Sequence, residues 1–383
     1  MSLAKCFNVD DFRKLAKKRL PSPIFNYIDG GADDEFTLKR NTSAFDDCVL
    51  VPSVLKDVSN VDTTTTVLGQ KISMPLFLSP AAMHRLYHHD GERATSRAAE
   101  KFGTFFSMST IATTSIEEIG NYTSGPKIFQ LYIHKDKGLT DLLVERCQRA
   151  GFNAMCLTVD TIVAGNRERD YRTGFTTPPK LTLASLLSFA FHPQWSLNYF
   201  LHEKFKLPNL PQSGKGGESV HSSVIDYINT QYDPAMDWKE AEYVIKKWKG
   251  PFALKGIASV EDAKKAVDIG ATAIMISNHG GRQLDTSISP FDQLARIVDA
   301  VGDKIEVILD GGVRRGTHVL KALALGAKAC SFGKGYLYAL GAGGQPAVEA
   351  MLNIMQSEIK RGMTLMGCRN VKELTRDKLI FKK

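Results

Sequence analysis

The sequence contains no run of about 20 apolar residues, so no helix able to cross a bilayer is expected. Cysteine is scarce and scattered: Cys6, Cys48, Cys147, Cys156, Cys330 and Cys368 form no C-x-x-C pair. That argues against a disulfide framework or a cysteine-bound zinc, and for reduced thiols in a cytoplasmic setting. The stretch from Asp10 to Arg19 is polar and charged, so no secretory signal is visible. No G-x-G-x-x-G follows the first strand-like run, which weakens a dinucleotide-binding reading. No metal site and no nucleic-acid partner is expected.

What is present is an ordinary globular composition. The 383 residues are 43% hydrophobic and 23% charged, enough to bury a large core. A net charge of +8 favours anionic substrates or an anionic membrane face.

The pattern along the chain is a repeated strand-then-helix rhythm. Asn8 to Leu20 reads as an amphipathic helix, and 63–67 with 70–73 as a small hairpin around Leu68-Gly69. Eight short apolar runs follow, at 75–79, 104–108, 128–133, 154–159, 252–255, 272–277, 305–310 and 328–332, most of them separated by helical patterns. Such alternation predicts an α/β fold with a parallel sheet, closed as a (β/α)8 TIM barrel; an open doubly wound sheet is the alternative. An N-terminal helical segment precedes the barrel, and a last helix is expected over Ala347 to Met363. The whole chain, 1–383, reads as one domain.

One interval breaks the rhythm, about 170–236, after the fourth run. Leu181 to Phe191 is apolar, and Trp195, Leu197, Tyr199, Phe200 and Leu201 continue the theme; Lys204 to Lys206 is basic. This composition suits a membrane-surface anchor, or helices packed on the barrel or on another subunit. Gln212 to Ser223 is rich in Gly and Ser, the composition of a mobile linker.

A barrel predicts that chemistry sits at strand ends. Polar residues cluster there. Ser277-Asn278-His279-Gly280-Gly281-Arg282 combines an imidazole that titrates near neutrality with a guanidinium fork suited to a carboxylate. Taken alone, it also reads as a polar surface loop. Asp160 and Arg167 flank the exit of the fourth run, and an Asp beside His279 is expected to raise its pKa. Lys255 ends the fifth run. Buried there, it needs an anion, either a reduced flavin or an Asp or Glu. Asp310-Gly-Gly-Val-Arg-Arg315 and Gly333-Lys334 suit a phosphate.

With these motifs the chain resembles the FMN-dependent L-2-hydroxy-acid-oxidising family, which includes glycolate oxidase, mandelate dehydrogenase and bacterial L-lactate dehydrogenase. The resemblance runs from about Phe7 to Leu379. It rests on Tyr27-Ile-Asp-Gly-Gly-Ala32, Phe129-Gln-Leu-Tyr132, Leu157-Thr-Val-Asp160, Leu254-Lys-Gly256, Ser277 to Asp285 and Asp310 to Gly316. It implies FMN as cofactor and a small 2-hydroxy acid as substrate.

The same resemblance implies residue roles. His279 is the base and Asp160 its orienting partner. Arg167 and Arg282 clamp the carboxylate, and Tyr27 and Tyr132 add hydroxyls. Lys255 lies beside the flavin ring. Pro80, Ala81 and Ala82 back that ring, and Ser109, Gln130, Thr158 and Ser277 bond it or its ribityl chain. Gly312, Arg314, Gly333 and Lys334 hold the phosphate, with Asp310 and Gly311 beside them.

Two departures stand out. Lys334 replaces the usual Arg, keeping charge but losing the bidentate fork. Thr110-Ile111 replaces a bulky aromatic common in glycolate oxidase, which points away from glycolate. His192-Pro-Gln-Trp195, Gln231-Tyr-Asp-Pro234 and Leu337-Tyr-Ala-Leu340 look most like bacterial L-lactate dehydrogenase. L-lactate is therefore the expected substrate, with a quinone or cytochrome as acceptor, or O2 in an oxidase. A homotetramer on the inner face of the cell membrane is the expected setting. A non-redox flavin isomerase and a non-catalytic flavin binder are the remaining alternatives.

Overall fold

The computed structural model describes residues 2–175, 181–210 and 229–382. The strands are β1 (Cys48–Leu50), β2 (Thr65–Val67), β3 (Gln70–Ile72), β4 (Leu76–Ala81), β5 (Phe106–Ser109), β6 (Lys127–Leu131), β7 (Ala154–Thr158), β8 (Phe252–Ile257), β9 (Ala273–Ile276), β10 (Glu306–Asp310), β11 (Ala329–Phe332) and β12 (Leu379–Phe381). Strands β4 to β11 are parallel neighbours and close into a barrel, β11 pairing with β4. The open sheet is therefore excluded. These strands are buried on both faces, which explains their apolar runs without alternation.

The barrel interior is layered. Phe77, Ile128, Cys156, Ala253, Met275, Ile308 and Ala329 form an apolar layer inside it. Side chains two residues apart on a strand share a face. The next inward layer is therefore Ser79, Gln130, Thr158, Lys255, Ser277, Asp310 and Ser331. The sequence thus turns from apolar to polar within one step of each strand, at the carboxyl ends.

The opposite end is filled by the hairpin β2–β3. Leu68 and Gly69 both take positive φ, 48° and 72°, as a tight two-residue turn requires. Val67, Leu68 and Ile72 join the inner apolar layer, and Leu68 N donates to Glu306 Oε2 at 2.7 Å.

Outer helices start where the sequence caps them. Ser115, Ser259 and Ser289 each accept the backbone N–H three residues on. The last helix differs from expectation. It runs Lys334–Leu365, broken at Gly343 and Gly344, so helical turns begin thirteen residues earlier than Ala347. Gly335, Gly341 and the Gly343-Gly344 pair mask the helical signal there. A helix at Trp238–Trp248, capped by Asp237, precedes β8. Tyr27 to Asp29 close a helix at Ser22–Asp29, and the next helix is Phe36–Ser43.

The interval after β7 carries two helices, Leu183–Ala190 and Pro193–Phe200. Leu183, Leu186, Phe191, Leu197, Phe200 and Leu201 are exposed. Trp195 holds the pair to the barrel by donating Nε1–H to Leu86 O at 2.8 Å. Gln212 to Ser223 lies outside the described residues.

Candidate active site

The polar layer opens into a cavity of about 1180 Å³ with its open mouth included. All the expected site residues line it except Asp160 and Ser277, which stand directly behind His279 and Lys255.

His279 follows β9 with φ 56°, a left-handed conformation rare for a side chain of this size. Gly280 and Gly281 continue in that region. At Gly281 a Cβ would meet Leu38 backbone atoms at 2.6 Å, so glycine is required. The sharp turn is held by His279 N donating to Ser277 Oγ at 3.1 Å. Nδ1 of His279 lies 2.9 Å from Asp160 Oδ1 and 3.2 Å from Thr161 Oγ1, while Nε2 makes no protein hydrogen bond among the described residues.

The expected rise of the His279 pKa is corrected. Burial lowers it below the ordinary value, and the opposing pull of Asp160 does not restore it. His279 is therefore neutral at pH 7, the state a base requires. Burial alone would raise the Asp160 carboxyl, but His279 and Lys255, with hydrogen bonds from His279 and Thr161, hold it below the usual range.

Arg167 and Arg282, expected to clamp a carboxylate, lie side by side in the cavity wall. Arg282 donates to Tyr27 O at 2.6 Å and Gly30 O at 3.1 Å, and lies 4.9 Å over the Tyr27 ring. Arg167, 8% exposed, lies 6.0 Å from the same ring. Burial lowers the Arg167 pKa, and the neighbouring Arg282 lowers it further. Neither guanidinium forms an ion pair with a carboxylate among the described residues. The charge of buried Asp170 reaches both guanidiniums without direct pairing, and two adjacent cations not in contact with a carboxylate among the described residues make a site for an anionic ligand.

Lys255 has an acidic partner, one of the two expected for it. Nζ lies 3.0 Å from Asp310 Oδ2 and donates to Ser277 Oγ at 3.0 Å. Asp310 also accepts from Ser277 at 2.6 Å, from Ser79 at 2.8 Å and from Ser331. Burial opposes ionisation of both groups. The Asp310 charge still lifts the Lys255 pKa above its ordinary value, and Lys255 with the serines holds Asp310 down to about 2. Lys255 is thus a fixed cation lining the cavity.

At the far end, Gly311 and Gly312 take φ 114° and 76°. The missing Cβ of Gly312 makes room for Asn41 O, only 1.8 Å from where it would stand. Lys334 donates to Asp29 O and Gly30 O at 2.8 and 2.7 Å. Burial, then the charges of Arg282 and Arg314, push its pKa well below the ordinary value. Arg314 donates to Val313 O at 2.7 Å.

These features match what FMN requires. Thr158 Oγ1 is buried without a hydrogen-bond partner among the described residues, on the inward layer where a polar ring edge would complete it. Lys334 and Arg314 form a mutually repelling cation group that a phosphate would neutralise.

Several site residues were not singled out by sequence reasoning. Gln283 Nε2 donates to Asp160 O at 3.0 Å and Val163 O at 2.8 Å, tying the loops after β7 and β9. Asp285 accepts Thr37 N–H at 2.8 Å and Phe36 N–H at 3.2 Å, starting the helix Phe36–Ser43. Asn41 and Asn278 exchange amide bonds at 2.7 Å. Gln283 and Asp285 sit inside the 277–285 motif, which was the available signal. Thr161, adjoining Asp160, carried none.

A family model described as FMN-dependent dehydrogenase matches residues 16–381. The chain is 42% identical to an L-lactate oxidase of Nostoc sp., covering 97% of this chain and 98% of that one. It is 40% identical to glycolate oxidase of Spinacia oleracea, over 96% and 94%. The solved structure of (S)-mandelate dehydrogenase, a monotopic membrane protein, aligns with TM-score 0.93 at 35% identity, over 99% and 100%.

Proposed function

Since the chain belongs to the FMN-dependent dehydrogenase family and oxidises an L-2-hydroxy acid with FMN, we propose that this acid is L-lactate and that a quinone or cytochrome takes the electrons. The observation that carries the site assignment is the pair Arg167–Arg282, with no carboxylate in direct ion-pair contact among the described residues, beside an imidazole fixed at Nδ1.

In this reading the guanidiniums hold the lactate carboxylate, and Tyr27 and Tyr132 bind carboxylate and hydroxyl. With Nδ1 committed to Asp160, His279 takes the hydroxyl proton at Nε2. Asp160 stabilises the imidazolium that results. Bound FMN supplies the two-electron acceptor for the α C–H bond. Pro80, Ala81, Ala82, Ser109, Gln130, Thr158, Lys255 and Ser277 would hold its ring and ribityl chain. Gly312, Arg314, Gly333 and Lys334 would hold its phosphate end, with Asp310 and Gly311 beside them.

The test is anaerobic mixing with L- and D-2-hydroxy acids while following the flavin band at about 450 nm. L-lactate bleaches it fastest; no bleaching by any L-acid refutes the reading. The second reading is an oxidase, supported by the identity to an L-lactate oxidase. Rapid reoxidation by air with peroxide release would establish it in place of the dehydrogenase.

The exposed apolar helices at 183–200 support attachment to the inner face of the cell membrane. No helix of the described residues is long and apolar enough to cross one. Deleting 182–213 abolishes sedimentation with anionic vesicles if the anchor is real, and leaves it unchanged otherwise. A homotetramer is the expected assembly, measurable by light scattering.

A further inference from the structure

The interval after β7 returns to the barrel through a short stretch that touches two loops of the site at once. Lys135 N donates to Gln231 O at 2.9 Å, and Asp233 N to Ile133 O at 3.2 Å, so His134 and Tyr232 form an antiparallel bridge. Lys135 Nζ donates to Thr230 O at 2.7 Å, and Lys137 Nζ to Asp233 Oδ2 at 2.8 Å. Three residues upstream of Tyr232, Asn229 Oδ1 accepts Ala164 N–H at 3.0 Å, on the loop that leads to Arg167.

The bridge puts the Tyr232 ring on Tyr132. Their centroids are 4.5 Å apart and their planes 24° apart. Tyr232 is 2% exposed and its far flank is closed by the His134 ring, edge-on at 5.4 Å. Tyr132 lines the cavity and Tyr232 does not. A phenol ring has few torsions, so a stacked neighbour largely determines where its hydroxyl points.

We infer that Tyr232 is a positioning residue: it fixes the Tyr132 ring against the bound acid, and the return stretch Asn229–Asp233 sets Tyr132 and the Arg167 loop in register. The inference rests on the site reading above, in which Tyr132 touches substrate. Substrate affinity is then tuned by residues brought in by the interval after β7. The positioning contact is the stacked ring, which Phe retains.

The experiment uses the FMN-loaded protein and steady-state kinetics with L-lactate for Tyr232→Leu, Tyr232→Phe, Tyr132→Leu and the double variant. Flavin content and thermal midpoint are recorded for each. Loss of one stacked aromatic contact raises KM about three- to tenfold in Tyr232→Leu, with kcat changed less than twofold. Tyr232→Phe, which keeps the ring, has a KM closer to the parent than Tyr232→Leu, and Tyr232→Leu adds nothing once Tyr132 is Leu. An unchanged KM in Tyr232→Leu, with a raised KM in Tyr132→Leu, overturns the inference and leaves the site reading intact. An equal effect of Tyr232→Leu in both backgrounds also overturns it, because the residue is then only structural. If Tyr132→Leu itself leaves KM unchanged, the site reading fails and the inference falls with it.

Discussion

Replacing Asp160 by Asn tests the core of the site. Asp160 Oδ1 stands 2.9 Å from His279 Nδ1. Two opposite unit charges at that separation attract by about 6 kcal/mol at an effective dielectric near 20. That attraction exists only once His279 holds the substrate proton, so its loss falls on the transition state. Asn keeps an oxygen that can accept the Nδ1–H, which recovers part of it. A net loss of about 4 kcal/mol lowers kcat roughly 1000-fold. The pH profile gives an independent sign. Burial already sets the His279 pKa below 6.5, and Asp160 is the group opposing that shift most strongly. Removing its charge lowers the His279 pKa further. Activity rises as His279 loses its proton, so the acid limb moves to lower pH in Asp160→Asn. The assay is kcat and kcat/KM for L-lactate from pH 4.5 to 8, with flavin content checked by absorbance. A fall in kcat of less than tenfold, or an acid limb displaced upward, would refute the assignment.

Lys255→Met leaves Asp310 charged, buried and dependent on its serine donors. Breaking a buried pair of this kind destabilises by about 3–5 kcal/mol, and urea unfolding of the cofactor-stripped protein should show it. Lys334→Ala weakens FMN binding about ten- to a hundredfold, the worth of one charge-assisted bond, read from quenching of free FMN fluorescence. Unchanged affinity would remove Lys334 from the phosphate set. His318 packs flat on Phe45 at 4.2 Å, and its Nδ1 accepts Arg314 N–H at 3.3 Å; burial lowers its pKa to about 3. The unfolded chain therefore takes the proton first, and stability falls as pH drops from about 6.5 toward 3, by about 2 kcal/mol at pH 5. In His318→Gln the pH 7 to pH 5 difference in the urea midpoint shrinks; an unaltered difference counts against this role.

The barrel was legible because its strands are buried on both faces, so each reads as an apolar run whose polar residue marks the cavity end. Lys255, Ser277 and Asp310 could be placed for that reason alone. Three features were not legible. Asn41 works through a partner 237 residues away, and no local pattern encodes such a pairing. The direction of the His279 shift depends on depth of burial, which overrides the neighbouring Asp160. The early start of the last helix was hidden by glycines that a packed helix tolerates and an isolated one does not. Lys255 was left open between an acidic residue and a flavin, and the structure shows why: Asp310 anchors the ammonium, and the cavity wall keeps it available.

The hairpin β2–β3 has a kinetic consequence. Val67, Leu68 and Ile72 stopper one end of the barrel, so traffic to the polar layer uses the other end. Acid, keto product and oxidant must then take turns at one doorway. That favours ping-pong turnover, with the acid at high concentration competing against the oxidant for the reduced enzyme.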